Sequence, residues 1–155
     1  YGVSQTRLSE KPSISQFNNV FDSSGDYTLF FEIERLAEAT DLQIIYISGP
    51  NGYFRLDAQS NERIVYVIYD GISAVTTATT ADNQFAVGTA SKILYKQEGS
   101  VGKCFVNGQQ ITNTDPSILT NNLSAWNQNR NHKKHKELYF PTALSDADCI
   151  SLTTL

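Results

Sequence analysis

Methionine is absent from the 155-residue chain, so the sequence is expected to be a processed product or a piece of a longer protein. Cysteine is scarce: Cys104 and Cys149 allow one disulfide or none, and they lack the paired short spacing of a structural zinc site or a redox CxxC motif. Long apolar runs are missing as well. The longest, such as 42–47, fall far short of the ~20 residues of a spanning helix, and no stretch joins a basic start to an apolar core as a signal peptide does. Membrane insertion is therefore not expected. Charged residues make up only 18% of the chain, and 12 Lys+Arg against 16 Asp+Glu leave a net charge of −4. Whole-molecule attraction to nucleic acid or to an anionic membrane is not expected on that balance, and a polyanion partner would need a local patch.

What is present is a globular composition: 40% hydrophobic residues, with 8 Tyr and 8 Phe. The length fits one domain over 1–155. Short segments rich in Val, Ile, Phe, Tyr and Thr alternate with Gly, Asn, Asp and Ser, which predicts an all-β chain. Strands are expected at 18–21, 27–34, 42–48, 53–58, 63–69, 72–79, 85–90, 92–97, 102–106 and 136–140. Between them, Asp70-Gly71 and Asn107-Gly108 carry the residues that tolerate positive φ in tight turns. In 53–58, Phe54, Leu56 and Ala58 fall on one face and Tyr53, Arg55 and Asp57 on the other. Segment 42–47 is apolar on both faces and is expected to be covered on each. Segment 112–131 is polar and asparagine-rich and reads as a long connection. A short helix is expected after Ser145, an N-cap followed by Asp146 and Asp148, with Leu144, Ala147, Ile150 and Leu152 packing on the sandwich.

Three segments, in order, resemble one family. Asp26-Tyr27-Thr28-Leu29-Phe30-Phe31-Glu32-Ile33 is similar to the early strand of concanavalin A-like jelly rolls of the laminin-G kind. Segment 92–108, ending Lys103-Cys104-Phe105-Val106-Asn107-Gly108, resembles the paired strands that close in that family's Asn-Gly hairpin. Segment 136–148, from Lys136-Glu137-Leu138-Tyr139-Phe140-Pro141 to Leu144-Ser145-Asp146-Ala147-Asp148, resembles its final strand and helix start. This last segment, with Arg7-Leu8-Ser9, is also similar to jelly-roll modules near the ends of bacteriophage tail-fibre and other virion proteins. The resemblance implies an antiparallel two-sheet jelly-roll sandwich with one short C-terminal helix, of a kind that commonly binds glycans on a concave sheet or along rim loops. No calcium-binding constellation of the family aligns, and no metal or cofactor is expected.

Sugar recognition needs flat apolar surfaces against C–H ring faces, with planar polar groups for the hydroxyls. The candidate set is Tyr53, Arg55 and Asp57 on one strand face, Tyr66 on a neighbour, and Trp126, Asn127 and Asn129 in the long connection. Trp126 reads either as a loop anchor at the sandwich edge or as a sugar platform. The basic run His132-Lys133-Lys134-His135-Lys136 reads as a solvated loop or as an anion-binding edge, and two His three apart make a poor metal site. Glycoside hydrolysis requires two carboxylates in fixed opposition. No ExDxxE-type motif of sandwich glucanases occurs, and Glu32-Ile33-Glu34-Arg35 reads as a solvated strand end with an ion pair. No Gly-Xaa-Ser-Xaa-Gly elbow or phosphate loop occurs either, so no enzyme is expected.

The leading expectation is a non-catalytic glycan- or surface-binding module of a phage tail or virion protein that mediates host attachment, located on the virion or outside the cell. Its partners would be bacterial surface polysaccharide and other virion subunits. A homotrimer through 42–47 is one reading of that segment, ordinary core packing the other. The alternatives are a structural decoration module of a virion and a carbohydrate-binding appendage of a secreted bacterial hydrolase.

Overall fold

Alternating β-branched and aromatic segments can bury one face each only by pairing and stacking, and the computed structural model shows that outcome. It describes residues 26–37, 42–49, 52–69, 74–99, 101–115, 125–127 and 132–155. The expected strand at 18–21 lies outside them. Among the described residues ten strands run in order: β1 Tyr27–Arg35, β2 Leu42–Gly49, β3 Gly52–Ala58, β4 Ile64–Tyr69, β5 Ala74–Thr79, β6 Ala90–Glu98, β7 Val101–Val106, β8 Gln109–Asp115, β9 Ala125–Asn127 and β10 His132–Phe140. One α-helix among the described residues, α1, spans Asp146–Thr153. All strand pairs are antiparallel, in two five-stranded sheets ordered β10-β1-β6-β7-β8 and β5-β4-β3-β2-β9.

The main core lies between the sheets. Tyr27, Leu29, Phe31 and Ile33 of β1 meet Leu56 and Ala58 of β3 and Ile64 and Tyr66 of β4 there. A second cluster forms on the other side of the first sheet, where Phe30, Leu94 and Phe105 pack with Cys149, Leu144 and Leu152. This explains why β1 is a nearly continuous apolar run: it is covered on both faces. The expected helix packing holds for Leu144 and Leu152 and fails for Ala147 and Ile150. Both of these are exposed, Ile150 by 41%, because Cys149 and Thr153 occupy the buried side of the helix.

The helix start is fixed as its sequence predicts. Ser145 Oγ accepts a hydrogen bond from the Asp148 amide at 3.1 Å. Asp146 pairs with the buried Lys96 and with Lys103, each at 2.6 Å. Burial pulls the Lys96 ammonium down, and its bonds to Asp146 and Glu98 more than offset that, raising it overall. Lys103 and then Lys96 hold the Asp146 carboxyl below the ordinary carboxylate range. A carboxylate depressed in the folded state contributes stability above its unfolded pKa and loses it as pH falls through the folded one. Unfolding followed by circular dichroism is therefore expected to show stability falling below pH about 4, with a smaller acid loss in Asp146→Ala.

The cysteines do not join. Both are free, Cys104 between the sheets and Cys149 under the helix, on opposite sides of the first sheet. Burial pushes their thiols up to about 12 and about 11.

Four expectations are corrected. Of the expected strand 85–90 only Ala90, the start of β6, is strand; 85–89 is turn and bend with a single bridge from Val87 to Arg35. The polar stretch 112–131 contains the end of β8 and all of β9. The basic run is not a loop, since it forms the first half of the edge strand β10. Arg35 is not solvated but buried, donating to the carbonyls of Ala37 and Phe85 and lying over the Phe85 ring.

Candidate functional site

The helix covers part of the outer face of the first sheet, and the candidate residues of β3 and β4 lie on the second. β3 sits in the middle of that sheet and alternates as its sequence requires: Leu56 and Ala58 are fully buried, while Tyr53, Arg55 and Asp57 are half-buried on the outer side. Residues directly opposite in an antiparallel pair share a face. Tyr69 of β4 lies opposite Tyr53, and their rings stack with centroids 5.1 Å apart and planes 21° from parallel. The Arg55 guanidinium lies 5.7 Å from the centre of the Tyr53 ring. Arg55 Nε then pairs with Asp57 Oδ2 at 2.7 Å.

These four residues form one strip: two stacked rings, a cation over one of them, and a carboxylate beside the cation. The ion pair is partly solvated, so its contribution to stability is small. Its effect is to orient both groups. The strip combines half-buried aromatic surface of Tyr53 and Tyr69 with guanidinium donors and carboxylate acceptors, the kinds of group that a hydroxylated ring requires. On its β4 side it is bounded by Val65 and Val67, both buried.

Tyr66 does not belong to this set. It pairs with Leu56, which puts it on the inner face at 1% exposure, 6.0 Å from the Tyr95 ring. The outer-face aromatic of β4 is Tyr69, one alternation away, which sequence reasoning missed. The signal that finds it is strand register, because Tyr53 and Tyr69 are partners across the pair.

β9 is joined to β3 through β2. Asn127 lies opposite Tyr46, which lies opposite Arg55, so Asn127 shares the row of the strip. Trp126 falls in the adjacent row with Ile47, Phe54 and Ile68, the alternation of Leu56 and Ala58. Backbone register thus links Asn127 to Arg55 and separates Trp126 from it. Asn129 lies outside the described residues.

The basic edge strand is largely neutralised. Glu34 of β1 receives His135 at 2.9 Å and Lys133 at 3.9 Å, and Lys134 pairs with Glu137. Burial, with Lys134 nearby, lowers the His132 pKa. His132 lies opposite Arg35, whereas His135, at a bulge between Lys134 and Lys136, reaches Glu34. No group of three or more His, Cys, Asp or Glu is placed to hold a metal among the described residues. Lysines on an edge strand also hinder edge-to-edge pairing with another chain.

No protein-family model matches the chain, and no curated protein matches it by sequence. Solved structures do. The CBM40 of a Ruminococcus gnavus IT-sialidase, solved with α2,3-sialyllactose, is 13% identical with a TM-score of 0.62 over 96% of this chain and 90% of its own. The Caenorhabditis elegans galectin LEC-6 is 13% identical with a TM-score of 0.59 over 76% and 84%. A Trypanosoma rangeli sialidase mutant displaying trans-sialidase activity is 11% identical with a TM-score of 0.59, over 81% of this chain and 22% of that one. The chain has a lectin-like jelly-roll fold. At these identities the likeness is one of fold, and the site must be argued from its own residues.

Proposed function

We propose that this domain is a non-catalytic glycan-binding module whose site is the outer strip Tyr53, Arg55, Asp57 and Tyr69, extended by Asn127. The observation that carries it is the pre-assembled strip itself. An aromatic surface and a polar pair lie side by side on the sheet face opposite the core, oriented before any ligand arrives. Pre-orientation lowers the ordering cost of binding. The fold is one that glycan-binding proteins use: the CBM40 above was solved with α2,3-sialyllactose. Among the described residues Asp57 is the carboxylate of the strip, and Arg55 engages it. A hydrolytic pair would need a second, opposed carboxylate, so binding without cleavage is the reading the residues support.

The carrier we assign is a phage tail or other virion protein, with bacterial surface polysaccharide as the target and several copies raising weak single-site affinity. Its support is the sequence resemblance of 136–148, and proteomics of purified virions tests it. Detection of the domain only in a secreted hydrolase would remove it.

A glycan array probed with the multivalently displayed domain tests the binding itself. At least one glycan class is expected to bind, with Tyr53→Ala and Arg55→Ala each weakening it tenfold or more, about 1.4 kcal/mol. Loss in Trp126→Ala but in neither of these would move the site to the β9 end. No binding at any valency would leave the structural decoration reading.

A further inference from the structure

Two Asn-Gly pairs occur in the chain, Asn51-Gly52 and Asn107-Gly108. Asn-Gly is the pair most prone to spontaneous deamidation, because glycine has no side chain to shield its backbone nitrogen. That nitrogen loses its proton and bonds to the carbonyl carbon of the Asn side chain, and ammonia leaves. Water then opens the five-membered imide to aspartate or isoaspartate, and no other reactant is needed.

At Asn107-Gly108 the groups that must react are all engaged. Asn107 Oδ1 accepts from the Lys92 amide at 3.0 Å, and its Nδ2 donates to the Gln84 carbonyl at 2.8 Å. The Gly108 amide, the nucleophile, donates to Thr153 Oγ1 at 3.2 Å, and Thr153 is fully buried at the end of α1. Ring closure has to carry the side-chain carbonyl carbon onto the Gly108 nitrogen and to deprotonate that nitrogen, so it breaks these bonds. The end of α1 also sits directly on the turn: a Cβ on Gly108 would stand 3.1 Å from Thr154 Oγ1. Lys92 ties the two together. Its backbone amide and carbonyl both bond Asn107, while its ammonium donates to the Thr154 carbonyl at 2.7 Å.

We infer that Asn107-Gly108 is a latent self-modification site, which deamidates when the C-terminal end of α1 lifts from the turn between β7 and β8. Helix ends fray, and such local opening needs far less free energy than global unfolding. The conversion runs one way. Aspartate at 107 has no donor for the Gln84 carbonyl, and isoaspartate also adds a main-chain methylene to a turn held at φ 48 and φ 81. Each event therefore weakens the seat on which the helix closes, so the modification records an opening and then favours the next. This device is independent of the outer-strip reading, since α1 contacts β6, β7 and β8 of the first sheet.

The test is incubation of the full chain at mildly alkaline pH, with peptide mapping that reads aspartate and isoaspartate at 51 and 107 separately. Native wild type is expected to deamidate at 107 about a hundredfold or more slowly than the same chain unfolded in urea. Thr153→Val, which replaces the hydroxyl by a methyl, is expected to raise the native rate at 107 about tenfold and to leave that at 51 unchanged. Lys92→Ala keeps the backbone bonds to Asn107 and loses the tie to the helix, so it is expected to raise the rate at 107 as well. Gly102→Ala, which lowers global stability away from the helix, is expected to raise it less than Thr153→Val does. A native wild-type rate at 107 equal to that in urea would overturn the inference. So would wild-type rates in both Thr153→Val and Lys92→Ala, or a rise in Gly102→Ala as large as in Thr153→Val, since global unfolding would then set the rate.

Discussion

Gly102→Ala is expected to destabilise the fold by about 1–3 kcal/mol and to lower Tm by roughly 3–10 °C. A Cβ at this position would stand 2.7 Å from Tyr95 Oη and 3.1 Å from Tyr95 Cε2. Tyr95 has nowhere to retreat. Its ring is fully buried between the sheets, flanked by Tyr27 at 5.9 Å and Tyr66 at 6.0 Å, and its hydroxyl donates to Gln97 Oε1 at 2.5 Å. The tyrosines occupy volume that a β7 side chain would otherwise fill, and Gly102 is the complement that admits them. In a Tyr95→Phe background the nearest clashing atom is gone, so the same substitution is expected to cost less. A thermal double-mutant cycle measures the difference, and equal costs in both backgrounds would show that the hydroxyl contact is not the cause.

Asn107→Ala is expected to cost about 3–4 kcal/mol, from an αL penalty of about 1–2 and two lost hydrogen bonds of about 1 each. Asn107 sits at φ 48 and Gly108 at φ 81 in the turn joining β7 to β8. The Asn107 side chain reaches two other segments, accepting from the Lys92 amide at 3.0 Å and donating to the Gln84 carbonyl at 2.8 Å. Its own amide donates to the Lys92 carbonyl at 3.0 Å, which locks the turn against the start of β6. Asn107→Gly removes the φ penalty and keeps the hydrogen-bond loss, so it is expected to recover about 1 kcal/mol. Urea unfolding of the two variants checks the order, and a Gly variant no better than Ala would contradict the backbone share of the argument.

The features legible in the sequence were those set locally. The Asn107-Gly108 turn and the Ser145 cap follow from side chains acting within a few residues. The strands β1 to β4 were placed to within a residue or two by their β-branched and aromatic runs between turn residues. β8 was missed because Gln109-Gln110-Ile111-Thr112-Asn113-Thr114-Asp115 carries little apolar signal: it is an edge strand, with Ile111 in the core. Segment 85–90 looked strand-like because Phe85 is apolar and buried, yet among the described residues 85–89 joins a strand only through the one bridge at Val87.

The site was half legible for a related reason. Tyr53, Arg55 and Asp57 share a face by alternation within β3, which the sequence shows directly. Which β4 residue joins them depends on register across the β3–β4 connection, where Ser60–Glu62 form a short 3₁₀ turn with Asn61 at positive φ. That geometry puts Tyr69 beside Tyr53 and sends Tyr66 into the core. A one-residue slip reverses every such assignment.

The claim that the outer strip binds glycan is tested most directly by titrating the tightest array ligand into the wild-type domain, Tyr69→Ala and Tyr66→Phe. Tyr69→Ala is expected to weaken binding tenfold or more at little cost in Tm, since Tyr69 is half-buried at the end of β4. Tyr66→Phe is expected to bind as wild type. Full affinity in Tyr69→Ala and Tyr53→Ala together, or no ligand found at any valency, would contradict the account.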